Sequence, residues 1–125
     1  MELRNKSVVV TGASRGIGAE IVKEFASAGS RVVLSARSEG AISNLAQEVG
    51  GTAIPLDVND PEDVRTYIDR VERETGPIDI LVNNAGIEKS TLIEDITESE
   101  IEETLRVNLI SPQVLTASAL PRMLE

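Results

Sequence analysis

Three glycines at Gly12, Gly16 and Gly18 follow the run Val8-Val9-Val10-Thr11 and open a segment with a helical apolar period. A β-branched run that stops at glycine reads as a strand entering a tight turn. Gly12 permits the turn, Gly16 has no Cβ to hold a ligand off the backbone, and Gly18 lets the new helix lie close to the strand. A helix start offers unpaired N–H groups and positive dipole to an anion. With Ser14, Arg15 and Ile17 between the glycines, the segment is built to cradle phosphate, and its place in a strand-turn-helix context points to a dinucleotide.

Two more sets carry chemistry. Asn83-Asn84-Ala85-Gly86 follows an apolar run, Ile78 to Val82. Small and amide residues at a strand end let backbone approach a ribose or a ring, although a plain polar turn has the same composition. Asn108 stands on the apolar face of the last helical pattern, four residues before Pro112. Proline removes the N–H that would have bonded the Asn108 carbonyl, so the spacing predicts a kink and a carbonyl free for another partner.

The second strand ends Val33-Leu34-Ser35-Ala36-Arg37. Selectivity for NAD needs a carboxylate at that strand end to hold the ribose hydroxyls. Ala36 supplies none, and Arg37 with Arg15 could clamp a 2′-phosphate through charge-assisted bonds. The expected cofactor is therefore NADP(H) in preference to NAD(H).

Other chemistries are excluded by composition. The chain of 125 residues has no cysteine and no histidine, which removes thiolate nucleophiles, disulfides, the usual general base and the common metal ligands. No metal site is expected. A net charge of −9 argues against nucleic acid and anionic membrane as partners. No apolar run reaches membrane-span length and no leader precedes the first strand, so a cytoplasmic protein is expected. Tyr67, the one tyrosine, falls on a core stripe with no lysine four residues on, and reads as packing. The acidic stretch Glu94 to Glu103 reads as a solvated helix start.

The elements that position these residues alternate. Strands are expected at Ser7 to Thr11, Arg31 to Ser35, Thr52 to Leu56 and Ile78 to Val82. Helices are expected at Gly16 to Ala28, from Ser38 to Gly50, from Asp60 to Gly76, and from a Thr97/Glu100 capping box toward Glu125. Asp60-Pro61-Glu62-Asp63 is an N-cap, a first-position proline and an acidic first turn. This predicts one α/β domain over residues 1–125, a partial Rossmann doubly wound parallel sheet of order 3-2-1-4 with helices on both faces. The order puts Pro55 on an edge strand, where proline is tolerated. It also leaves Ile78 to Val82, apolar on both faces, at the other edge without lysine, proline or bulge. The expectation is that a further strand follows beyond Glu125 or comes from another chain.

Taken together, Thr11-Gly12-Ala13-Ser14-Arg15-Gly16-Ile17-Gly18, Asp57-Val58, Asn83-Asn84-Ala85-Gly86 and Asn108 resemble the short-chain dehydrogenase/reductase family, near its 3-oxoacyl-carrier-protein reductases. The likeness runs from about Lys6 onward. It implies that Gly12, Ser14, Arg15 and Ile17 surround the cofactor phosphates and adenosine ribose. It implies that Asp57 accepts a hydrogen bond from the adenine amino group beside Val58, and that Asn84, Ala85 and Gly86 line the ribose nearer the nicotinamide. Thr11 and Asn83 would tie the central strands together. Asn108 would belong to the catalytic site, its main chain holding a water that leads to a lysine. The family's catalytic serine, tyrosine and lysine match nothing in this chain, which reads as cut short before them. Two readings stay open. One is the NADP(H)-binding N-terminal part of an oxidoreductase that passes hydride between nicotinamide and a small carbonyl or alcohol. The other is a stand-alone, non-catalytic dinucleotide-binding or self-associating module. A homo-oligomer is expected either way.

Overall fold

Alternation within β1 (Ser7–Thr11) builds both faces of the sheet. Val9 joins one buried cluster, whereas Val8 and Val10 join another. The same division continues in β2 (Arg31–Ser35), with Val33 on the first face and Val32 and Leu34 on the second. A strand buried on both sides is what parallel sheets require. The structure, a computed structural model, describes residues 1–125.

Four strands run parallel in the order β3-β2-β1-β4, as expected, with β3 at Thr52–Ala53 and β4 at Ile80–Val82. Helices α1 (Gly16–Ser27) and α2 (Glu39–Val49) cover one face through Val22, Ile42 and Ala46. Helix α3 (Pro61–Thr75) covers the other through Val64, Tyr67, Ile68 and Val71. Packed beside it is α5 (Ser111–Met123), which contributes Leu115 and Ala119. The C-terminal ends of β1, β2 and β4 therefore open on one side of the sheet.

Several boundaries move for physical reasons. The third strand is shorter than Thr52 to Leu56 because Pro55 has no N–H for a ladder. Its backbone still follows β2 through Ile54 N–H to Leu34 O at 3.0 Å and Leu56 N–H to Ala36 O at 2.9 Å. The fourth strand begins two residues late. Asp79 spends both its N–H (2.9 Å, to Ser7 O) and its carboxylate (2.8 Å, from Ser7 N–H) on the start of β1. Ser38 occupies the cap position of α2, but its hydroxyl makes no capping bond. Asp60 does cap α3, accepting from the N–H groups of Glu62 and Asp63, and Thr97 forms the reciprocal capping box of α4 (Glu98–Leu105) with Glu100.

The last helix is not continuous. Between α4 and α5 the backbone widens into a π-helical segment, Arg106–Ile110, closed by Ser111 N–H bonding Arg106 O five residues back. The disturbance expected from Pro112 is absorbed as a π-turn. Ile101 and Leu105, whose spacing puts them on the apolar face that also carries Asn108, are 43% and 49% exposed. No helix is long and apolar enough to cross a membrane.

Candidate functional site: a cleft at the strand ends

A cleft of about 430 Å³ lies over the C-terminal ends of β1, β2 and β4. Its floor and one wall come from the glycine segment, with Gly12, Ser14, Arg15, Gly16, Ile17 and Gly18 all facing it. The β2 end adds Arg37, the segment after β3 adds Asp57 and Val58, and the loop after β4 adds Asn84, Ala85 and Gly86. All twelve residues expected at a cofactor thus meet in one place.

Close approach of three segments makes the cleft. A Cβ on Gly12, whose φ is +62°, would lie 2.8 Å from Ala85 Cα. A Cβ on Gly18 would lie 2.1 Å from the Gly12 carbonyl oxygen. The β1 end, the α1 start and the β4 loop can therefore touch only through glycine. At Gly16, by contrast, a Cβ would meet nothing within 4 Å, and that side of the loop is open to a ligand.

Hydrogen bonds lock this contact. The Thr11 hydroxyl accepts from Asn84 N–H (3.1 Å) and Ala85 N–H (3.0 Å) and lies 3.4 Å from Val82 O as donor. Thr11 ties the central strands together, as expected. The amide expected to share that task does not. Asn83 is exposed and donates to Thr116 Oγ1 on α5 at 3.1 Å. Its neighbour Asn84 makes the tie, donating to Thr11 O (3.2 Å) and Gly12 O (3.0 Å).

The electrostatics favour an anion at the mouth. The N-cap of α1 is Arg15, in extended backbone, and no side chain caps the helix, unlike α3 and α4. The first-turn N–H groups of α1 are left to solvent or a ligand. Arg15 and Arg37 are exposed and neither takes part in an ion pair. Ser35, Ala36 and Arg37 bring no carboxylate from β2 to the cleft. The acids that line it are Asp57 and Glu103, and Glu103 is paired with Lys89 at 3.2 Å.

Asn108 differs from expectation in its surroundings. It is exposed rather than on a packed apolar face, and it does not line the cleft. Both ends of its amide are engaged, the oxygen accepting from Ile87 N–H (2.8 Å) and the nitrogen donating to Ile87 O (2.7 Å). This pairing fastens the π-segment to the loop that carries Asn84, Ala85 and Gly86. Tyr67 is fully buried, hydrogen-bonded to Ser35 Oγ, and its phenol is pushed well above its ordinary pKa by desolvation. It is packing, as expected, and it does not itself line the cleft, although its partner Ser35 does.

Sequence reasoning missed Ile87, Glu103 and Val107 in the lining. Only the fold brings the α4 end over the β4 loop. It also missed Asp63 and Arg70 behind the Asp57 segment, although their spacing of seven puts them on one helix face.

The model of the family described as short chain dehydrogenase matches residues 6–125. A short chain dehydrogenase of Pseudocercospora fijiensis is 40% identical over 131 residues, covering 99% of this chain and 42% of that protein. The 3-oxoacyl-acyl-carrier-protein reductase FabG of Salmonella typhimurium is 33% identical, covering 100% of this chain and 52% of its own length. The chain thus spans about half the length of these curated relatives. Among solved structures, a blue fluorescent protein from a metagenomic library in complex with NADPH superposes with a TM-score of 0.91 at 34% identity, covering 98% of this chain and 53% of the other. A metagenomic short-chain oxidoreductase in complex with NADP gives 0.89 at 33% identity, covering 98% and 58%.

Proposed function

This chain belongs to the short-chain dehydrogenase family, and we propose that it is the NADP(H)-binding part of an oxidoreductase acting on a small carbonyl or alcohol. When bound, the nicotinamide would supply or accept hydride. The residues present fit such a ligand. The uncapped α1 start and the open face of Gly16 suit the pyrophosphate, with Gly12, Ser14 and Ile17 around it and Gly18 holding the helix in place. Asp57 and Val58 would take the adenine, with the free Asp57 Oδ2 as acceptor. Asn84, Ala85 and Gly86 would bound the second ribose. Asn108 would act from the far side of that loop, through the Ile87 pairing.

The observation that carries the cofactor choice is the unpaired couple Arg15 and Arg37 at one cleft, with Ala36 where a ribose-binding carboxylate would otherwise stand. A 2′-phosphate offers two guanidinium groups something to bind, and a bare ribose does not. Titration of the protein with NADPH and NADH tests this. Tighter NADPH binding is expected. Arg37→Ala should weaken NADPH about tenfold while leaving NADH nearly unchanged, as for one lost charge-assisted bond. Tighter NADH binding by the parent would overturn the reading.

The cleft holds no tyrosine, since Tyr67 is locked in the core. That favours cofactor binding, rather than proton transfer to the substrate, as the work of residues 1–125. The self-associating, non-catalytic module remains the second reading, because apolar residues on α4 are exposed.

A further inference from the structure

At the edge of the sheet, two backbone groups of the Pro55–Asp57 segment point away from β2. Ile54 and Leu56 direct their N–H groups inward, to Leu34 O and Ala36 O. In a parallel strand the alternate residues, 55 and 57, then face outward, where a further strand would meet them. No strand is there. The Pro55 carbonyl instead accepts from Arg70 Nη1 at 3.2 Å, and Asp57 N–H donates to Asp63 Oδ2 at 2.7 Å. Asp63 Oδ1 and Arg70 Nη2 close the set as an ion pair. The Arg70 guanidinium also lies 5.5 Å from the Tyr67 ring centre, and Tyr67 holds Ser35 at the end of β2. One face of α3 thus replaces the missing strand.

Arg70 Nε has no partner in the chain, so its bonds go only through Nη1 and Nη2. What the clamp achieves is position. Asp57 is held by its N–H to Asp63, and Val58 is held by its carbonyl, which accepts from Ser111 Oγ at 2.5 Å. The Asp57 carboxylate then has Oδ1 on Asn59 N–H at 2.9 Å and Oδ2 without a partner in the chain, and Asp57 is one of the residues lining the cleft.

We propose that Asp63, braced by Arg70, is a positioning residue that aims the Asp57 carboxylate at the exocyclic amino group of a bound adenine. The proposal rests on the dinucleotide reading above. It gives α3 a part in choosing the base.

The test compares NADPH with its hypoxanthine analogue, in which the adenine amino group is replaced by a carbonyl oxygen. Affinities are measured by titration for the parent, Asp63→Ala, Asp63→Asn and Arg70→Gln. The parent should prefer NADPH by about tenfold or more, since a carboxylate bonds an amino group and repels a carbonyl. Asp63→Ala should bring the ratio close to one. Asp63→Asn keeps an oxygen for Asp57 N–H and should restore most of it, and Arg70→Gln should fall between. A purely structural role would lower both affinities together and leave the ratio unmoved. If Asp63→Ala does not fold, Arg70→Gln and Asp63→Asn carry the comparison. Folded variants that keep the parental ratio overturn the proposal alone. A parent that binds both dinucleotides equally overturns the role of Asp57 and the proposal with it, and a parent that binds neither overturns the dinucleotide reading itself.

Discussion

A methyl group at Gly18 would meet the Gly12 carbonyl oxygen at 2.1 Å and Asn84 Nδ2 at 2.5 Å. Both are fixed atoms of the same lock, since Asn84 Nδ2 donates to that carbonyl at 3.0 Å. Gly18→Ala therefore has to push α1 off β1 or break the Asn84 bonds. Overpacking together with a lost hydrogen bond should destabilise the protein by about 2–4 kcal/mol. Urea unfolding of the variant measures this, and a midpoint equal to the parent's would contradict it. The glycine roles were legible in the sequence because each depends on local spacing. The division of labour between Asn83 and Asn84 was not. Adjacent residues at a strand end point to opposite sides, and which side meets β1 is set by the register Val10 to Val82. The Asp63–Arg70 clamp was half legible. The seven-residue spacing shows a shared helix face, but its target is an edge backbone group that only the sheet order reveals.

Helix α3 is the element whose sequence predicted its structure best. Asp60, Pro61 and the acidic first turn start it, and Gly76 ends it. Its weak point is chemical. Tyr67 is fully buried and its pKa is raised by desolvation. Below the ordinary phenol value of about 10 both folded and unfolded states are neutral, and the group adds no pH dependence. As pH rises through that value only the unfolded state ionises, so stability must fall. The slope is about 1.4 kcal/mol per pH unit for the one proton. The chain has one tyrosine and no tryptophan, so the tyrosinate absorbance band reports this residue alone. The band should appear together with loss of helical circular dichroism, and Tyr67→Phe should remove this share of the alkaline slope. Titration of the band at the free-phenol value in a protein that is still folded would refute the assignment. The elements that departed from sequence expectation are those beside prolines and at edges. Pro55 shortens β3, and the disturbance expected from Pro112 takes the form of a π-segment. A periodicity count sees neither effect; the missing proline N–H groups mark where each falls, and the structure gives its form.

For the molecule as a whole, the surfaces left open include an apolar helix face and a free sheet edge. Ile101, Leu105 and Leu109, spaced four apart, are 43%, 49% and 51% exposed. β4 pairs with β1 on one side only, and Ile80, Leu81 and Val82 are half-buried. No lysine, proline or bulge interrupts that strand, so its free edge is open to pairing. In a solution of the pure chain, a second copy should cover these surfaces. Burial of three such side chains is worth several kcal/mol in total, at about 1.5–3 kcal/mol each when complete. The approach brings acidic segments together, since Glu94, Asp95, Glu98, Glu100 and Glu102 lie in and just before α4 and the chain carries −9 overall. Salt screens that repulsion over about 8–10 Å at moderate ionic strength and leaves the apolar attraction in place. Self-association should therefore strengthen with added salt, the reverse of an association driven by opposite charges. Sedimentation at rising concentration should show mass above the 13.4 kDa monomer. Leu105→Glu should return it to the monomer, because the new carboxylate would be buried among like charges. A parent chain that stays monomeric at every concentration and salt level would rule out the second copy as the occupant of this face.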